Sequence, residues 1–175
     1  MTIGSAGRGG KRLAAGELVD GRFHVIELAG SGGMGEVYRA TDTATGEVVA
    51  LKVMTEEAGF DPRFLREAEL LRALDHAGIV GHVGHGVGPR GVAYIAMRWA
   101  AGETLERRLE RGPLDADATV LLARALASTL AYAHARGVVH RDLKPSNVML
   151  RGGRLDAPVL LDFGVARGGK AGPTL

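Results

Sequence analysis

A chain of 175 residues has room for one ordinary domain or two small lobes. With 46% hydrophobic and 24% charged residues it has the balance of a globular protein, and a net charge of +2 offers little field to nucleic acid or anionic membrane. The absence of cysteine rules out disulfides, thiolate nucleophiles and Cys-based zinc sites.

No apolar stretch approaches the length of a bilayer span. Arg8, Lys11 and Arg12 are not followed by an apolar run, so the start does not read as a secretory signal, and a cytoplasmic protein is expected. Residues 1–17 are Gly, Ala, Ser and basic side chains without periodicity, which predicts a flexible lead-in. From Arg22 the texture turns to β-prone runs. Phe23, Val25 and Leu28 alternate toward a first strand, followed by the cluster Gly30-Ser31-Gly32-Gly33-Met34-Gly35. A second strand is predicted over 37–40 and a third over 48–53, separated by the Thr45-Gly46 turn.

A helix should follow, with Asp61 as N-cap, Pro62 at its first position and Phe64, Ala68 and Leu71 on one apolar face. Apolar runs at 79–87 and 92–97 predict two strands about a turn at 88–91. After Gly112-Pro113 a long helix is predicted over 115–136, carrying Leu122, Leu126, Leu130 and Ala133, with Gly137 placed to cap it. Residues 138–164 return to short strands and polar loops, and 167–175 show no pattern. The order predicts an α+β chain in two lobes, 18–97 and 104–166, joined through 98–103.

Four segments carry chemistry. In G-x-G-x-x-G-x-V, Gly30 to Val37, glycines let backbone N–H groups approach phosphate oxygens, although a glycine-rich hairpin turn has the same residues. The following strand, where a dinucleotide fold has a helix, argues against that fold. Lys52 puts an ammonium into the apolar run Val49-Ala50-Leu51. It is either an edge lysine facing solvent or a buried one needing Glu67 or Glu69 as partner. His140-Arg141-Asp142-Leu143-Lys144-Pro145-Ser146-Asn147 is too rich in polar side chains for a plain connection. There Asp142 can accept a hydroxyl proton, Lys144 can neutralise a phosphoryl oxygen and Asn147 can ligate Mg²⁺. Asp162, in Leu160-Leu161-Asp162-Phe163-Gly164, ends an apolar strand with a second oxygen donor for Mg²⁺.

Glycine-rich loop, strand lysine, helix glutamate, H-R-D-L-K-P-x-N and D-F-G occur in this order, and over roughly residues 20–166 the chain resembles the eukaryotic-like (Hanks-type) bacterial serine/threonine protein kinases. The resemblance implies a two-lobed protein-kinase-like fold, with a small lobe of five antiparallel strands plus one helix and a partial helical lobe. It implies ATP with Mg²⁺, or Mn²⁺, as cofactors and proteins bearing Ser or Thr as substrates. Gly30, Ser31, Gly32, Gly33, Met34 and Gly35 would then cover the ATP phosphates, while Lys52 would contact the α- and β-phosphates and pair with Glu67, Glu69 ranking second. Asp142 would orient and deprotonate the substrate hydroxyl, Lys144 would steady the γ-phosphate, and Asn147 and Asp162 would hold the metal. Val37, Ala50 and Met149 would enclose the adenine, with Met97 as gatekeeper and Arg98, Trp99 and Ala100 as hinge.

Against that family, the activation segment and the helices behind it should follow Gly164, whereas the sequence ends at Leu175. Residues 167–175 are expected to open that segment, with Thr174 as the hydroxyl matching Arg141. A missing segment or a partner is then expected to complete the helical lobe, since the helix at 115–136 would otherwise expose an apolar face. An ATP-binding module without transfer, or a truncated fragment without function, are the alternative readings. Arg98 stands where bacterial relatives often have an acid. His82 and His85, three apart in a strand, are expected to face opposite sides and make a poor metal pair. Trp99 reads as a packed hinge aromatic, and Arg107, Arg108 and Arg111 as a solvated helix face.

Overall fold

Alternating apolar residues from Phe23 to Val53 form the central strands of an antiparallel sheet. The computed structural model describes residues 12–32, 35–54, 68–69, 71–88 and 91–163. Strands β1 (Leu18–Val19), β2 (Phe23–Gly32), β3 (Gly35–Asp42), β4 (Val48–Val53), β5 (His82–Val87) and β6 (Ala93–Arg98) form one sheet in the order β1-β2-β3-β4-β6-β5. Five of these correspond to the expected strands. The two-residue β1 is an addition that pairs with Phe23 and His24.

One face of this sheet buries Phe23, Val25, Tyr38, Val49 and Leu51, each no more than 1% exposed. Burial of side chains of this size contributes about 1.5–3 kcal/mol apiece, as an upper estimate. Leu28 is exposed, although the register shift after Val25 sets it opposite the buried Tyr38. The other face packs Ile95 and Met97 against Ala68. Ala68, Glu69, Leu71 and Arg72 are helical. The expected cap residues Asp61 and Pro62, and Phe64, lie outside the described residues.

The segment expected to be a flexible lead-in is bonded to the sheet from Arg12 onward. Arg12 Nε meets Glu36 Oε1 at 2.7 Å, Leu13 N donates to the Tyr38 hydroxyl, and Gly16 N donates to Val25 O. The bond from Gly16 N satisfies the carbonyl of the buried Val25, which would be costly to leave unpaired away from water.

Beyond β6 come β7 (Glu103–Thr104), α1 (Leu105–Leu109) and α2 (Ala116–His134). Thr104 caps α1 through Arg107 N, and Asp115 caps α2 through Ala118 N at 2.8 Å, each supplying an acceptor to an otherwise orphaned N–H. Helix α2 buries Leu122, Thr129 and Ala133, while Val120 and Leu121 stand exposed on it. Strands β8 (Val148–Leu150) and β9 (Pro158–Leu160) join β7 in a second sheet. Leu74, Ile79, Leu105, Leu122, Leu150 and Leu160 share a core there. The two parts are tied by backbone bonds from Val80 N to Leu160 O and from Leu160 N to Gly78 O.

Candidate active site

A cleft of about 370 Å³ opens between the β2–β3 hairpin, the residues after β6, and β8. Val37 and Ala50 wall it from the large sheet, Met149 from β8, and Met97 closes its inner end at 8% exposure. Gly30, Arg98 and Ala100 also line it. These residues were expected to surround a nucleotide. Ser31 and Gly32 lie exposed at the end of β2, and Gly33 and Met34 fall outside the described residues. The apolar walls suit a flat heteroaromatic ring, and backbone groups along 98–100 offer it polar partners.

Gly35 closes the hairpin at φ 143°, where a Cβ would sit 2.2 Å from Val53 O. Glycine is therefore required by the close approach of β3 to the end of β4.

Lys52 lies on β4, which is hydrogen-bonded on both sides by β3 and β6, so it is no edge lysine. Its side chain is only 12% exposed, and its Nζ lies 2.9 Å from Asp162 Oδ1. A buried ammonium needs such a partner. The expected Lys52–Glu67 pair lies outside the described residues. Glu69, ranked second as a partner, bonds instead to Arg72 and His85.

The loop from His140 to Asn147 is stapled to the strand that delivers Asp162. His140 Nε2–H donates to Leu161 O at 2.8 Å, and Leu161 N donates to Asn147 O at 2.9 Å. These bonds set Asn147 beside Asp162 by extending the β8–β9 ladder one step. His140 is 2% exposed, and its ring lies tilted against that of Phe163, 4.6 Å between centres. Burial pushes its pKa down, so the ring is neutral with its hydrogen on Nε2. Arg141 and Asp162 hold φ of 62° and 47°, in the left-handed region that non-glycine residues seldom occupy. Such backbone strain clusters at working sites.

Asn147 Nδ2 donates to Asp142 O at 2.8 Å and to Asp142 Oδ2 at 3.1 Å. Lys144 Nζ lies 2.9 Å from the same carboxylate oxygen. Asp142 is thus held in one orientation, while the amide orientation of Asn147 leaves Oδ1 as its acceptor. Asn147 and Asp162 supply two hard oxygen donors. No cluster of three His, Cys, Asp or Glu that could hold a metal occurs among the described residues. Two protein donors fit Mg²⁺, which fills its remaining positions with phosphate and water.

Several cleft residues carried no distinct sequence signal: Ala29, Val80, Ala101 and Leu161. Gly102 had one, a glycine just past the hinge, and φ there is 143° with a notional Cβ 2.3 Å from Leu150 O. Trp99 also lines the cleft, 37% exposed, with the Arg39 guanidinium 5.7 Å from its ring centre. It is a rim residue more than a packed one. Arg111 lies beyond α1 and forms a bidentate pair with Glu103 at 2.6 and 2.7 Å, which removes it from a free helix face.

His82 and His85 depart from expectation most plainly. A register shift between His82 and Gly84 turns them to the same side, where His82 Nε2 and His85 Nδ1 are 2.9 Å apart.

A family model described as protein kinase domain matches residues 23–174. The chain is 42% identical over 155 residues to serine/threonine-protein kinase Pkn2 of Myxococcus xanthus, covering 86% of this chain and 19% of that protein. It is 40% identical over 151 residues to serine/threonine-protein kinase PknH of Mycobacterium tuberculosis, covering 83% and 24%. The crystal structure of the Mycobacterium tuberculosis PknI kinase domain superposes with a TM-score of 0.76 at 34% identity, covering 89% of this chain and 64% of that one. Rad53 1-466, solved in complex with AMP-PNP, aligns at 0.72 and 28% identity, covering 82% and 38%. The chain therefore spans a quarter or less of the length of these two kinases and under two thirds of the PknI kinase domain chain.

Proposed function

Because this chain belongs to the protein kinase domain family, we propose that its cleft binds Mg²⁺–ATP and that its polar loop serves transfer of the γ-phosphoryl group to Ser or Thr hydroxyls of proteins. The observation that carries this reading is the meeting of two lysine–carboxylate pairs at one place. Lys52–Asp162 and Lys144–Asp142 each close at 2.9 Å, and Asn147 is bonded to Asp142 on one side and to Leu161 on the other.

In this reading the adenine lies between Val37, Ala50 and Met149, and the phosphates run toward Lys52 beneath Gly30, Ser31 and Gly32. Lys52 neutralises the inner phosphates. Bound Mg²⁺ would be held by Asn147 and Asp162 and would supply neutralisation of phosphate charge. Asp142 aligns the hydroxyl and accepts its proton as the new O–P bond forms and the bond from the γ-phosphorus to the bridging oxygen breaks, releasing ADP. Lys144 offsets charge on the transferring group. Catalysis of this type is chiefly positioning and charge neutralisation.

A thermal melt of the purified chain with and without Mg²⁺–ATP tests the binding step. A ligand that binds only the folded state raises the transition by mass action. A cooperative transition that shifts upward, followed by labelling of a Ser/Thr protein from γ-labelled ATP, is the expected result. A shift without labelling leaves a nucleotide-binding module, and no shift removes the assignment.

A further inference from the structure

A side-chain contact links the β2–β3 hairpin to the residues after β6, and phosphoryl transfer does not call on it. Along β3, Val37 and Arg39 alternate with the buried Tyr38 and Ala40, so Arg39 lies on the face that walls the cleft. It sits opposite Ala50 of β4 on one side and Glu27 of β2 on the other. Arg39 Nη1 donates to Glu27 Oε1 at 3.3 Å, and the guanidinium carbon lies 5.7 Å from the centre of the Trp99 ring. Arg39 Nε is shut off from solvent and has no acceptor among the described residues, so the side chain is packed there and does not swing in water.

Strand β4 shows which end of the cleft this contact serves. Lys52, opposite Val37, marks the phosphate end, and Ala50, opposite Arg39, lies two residues nearer the hinge. Trp99 N donates at 3.4 Å to the carbonyl of Val48, two residues further again. At about 3.3 Å per residue, the Arg39 position is roughly 7 Å along the sheet from that of Lys52, toward the base end. Register shifts on either side of Glu27 and Leu28 leave Ile26 and Ala29 without a cross-strand partner on β3, and Ala29 lines the cleft. The roof over the base is thus loosely laddered where Arg39 ties it down.

We infer that Arg39 is a positioning residue for the base of the nucleotide: tied to Glu27 and laid against Trp99, it braces the β2–β3 hairpin on the segment after β6. In doing so it keeps the Trp99 ring in place as the outer wall of the base pocket. This rests on the function proposed above and names the part of the ligand that the brace serves, the heteroaromatic base and not the phosphates. A guanidinium is attracted to the electron-rich face of an indole. The contact is stronger here than in open water, because Trp99 is only 37% exposed and Arg39 Nε is buried. Glu27 is an exposed partner whose ion pair adds little strength but directs the guanidinium.

Trp99 is the single tryptophan of the chain, so its fluorescence reads the brace directly. In the full chain without nucleotide, Arg39→Gln keeps most of the stem and removes the charge. It should raise acrylamide quenching of Trp99 about twofold, and Arg39→Lys should restore most of the shielding. By calorimetry, Arg39→Gln should weaken adenosine and Mg²⁺–ATP alike by about two- to fivefold, with Arg39→Lys close to the parent. Equal quenching in the parent and Arg39→Gln overturns the brace. Unchanged adenosine affinity overturns the inference as well, and a loss confined to Mg²⁺–ATP would make Arg39 an attractor of phosphate instead. Should Arg39→Gln fail to fold, Trp99→Leu decides, since adenosine must then weaken by at least the same factor. If neither ligand binds the parent, the function proposed above fails, while quenching still decides whether the brace exists.

Discussion

Lys52 Nζ lies 2.9 Å from Asp162 Oδ1, so a lysine from the centre of the large sheet and an acid from the end of the small one neutralise each other at the wall of the cleft. The pair joins the two halves of the site. Each partner keeps the other's charge tolerable in a partly buried place.

Lys52→Met is expected to weaken Mg²⁺–ATP binding by at least about tenfold, or about 1.4 kcal/mol, because the methionine fills the space without the charge. Asp162 is 32% exposed, so its lost partner is largely replaced by water and the fold should survive. Titration calorimetry on the variant checks this. An unchanged dissociation constant removes Lys52 from the phosphate site.

Asp142→Asn separates binding from transfer. Its carboxylate is held by Lys144 and Asn147, and Asn147 also bonds the Asp142 backbone oxygen, a contact that the substitution retains. Nucleotide affinity should therefore stay within about twofold while transfer falls by roughly 10²–10⁴, the usual worth of a positioned base. Initial rates of phosphate incorporation, beside calorimetry, read the two effects. An active Asp142→Asn protein would mean that another group takes the proton.

The sites most legible in the sequence were those where residue type is dictated by chemistry within a short segment. Asp142, Lys144 and Asn147 could be named from one eight-residue loop, because the chemistry of their side chains decides such positions locally. What was hidden depended on register or on distant partners. The His82–His85 pair was misread because a one-residue slip in pairing turns side chains to the other face, and nothing in the local pattern announces the slip. The partner that Asp162 supplies to Lys52 lies far along the chain, so only the fold brings it into view. The bonds of Arg12 to Glu36 and of Leu13 to Tyr38 are of the same kind, formed with strands that composition alone cannot show.

Gly102→Ala tests how the hinge meets β8. A methyl group there would lie 2.3 Å from Leu150 O, a backbone atom that cannot swing aside, at a φ of 143°. Loss of more than about 2 kcal/mol is expected, from strain and clash together. Urea unfolding should show a lower midpoint with an unchanged slope. A variant as stable as the parent would show that the hinge moves freely relative to β8.

The last prediction concerns acid stability at the corner of the large sheet. Asp42 is 1% exposed and accepts from Arg22 Nε at 2.8 Å, Arg22 Nη2 at 2.6 Å and Ala44 N at 3.0 Å. The bonds from Arg22, ahead of that from Ala44, hold its pKa below the usual carboxylate range despite burial. A carboxyl whose pKa is lower folded than unfolded stabilises the fold above its unfolded value of about 3.9, and that contribution disappears as pH falls through the folded value. Asp42→Asn keeps the shape and one acceptor but loses the charge. It should cost about 2 kcal/mol at pH 7, the scale of a hydrogen bond to a charged group, moderated because Arg22 remains partly in water. Urea unfolding of both proteins at about pH 7, 5 and 3 reads the difference. The gap should hold between the first two and narrow at the third, where the parent's carboxylate begins to protonate. A gap that stays constant to pH 3 would mean that the shape of the side chain, and not its charge, secures the corner.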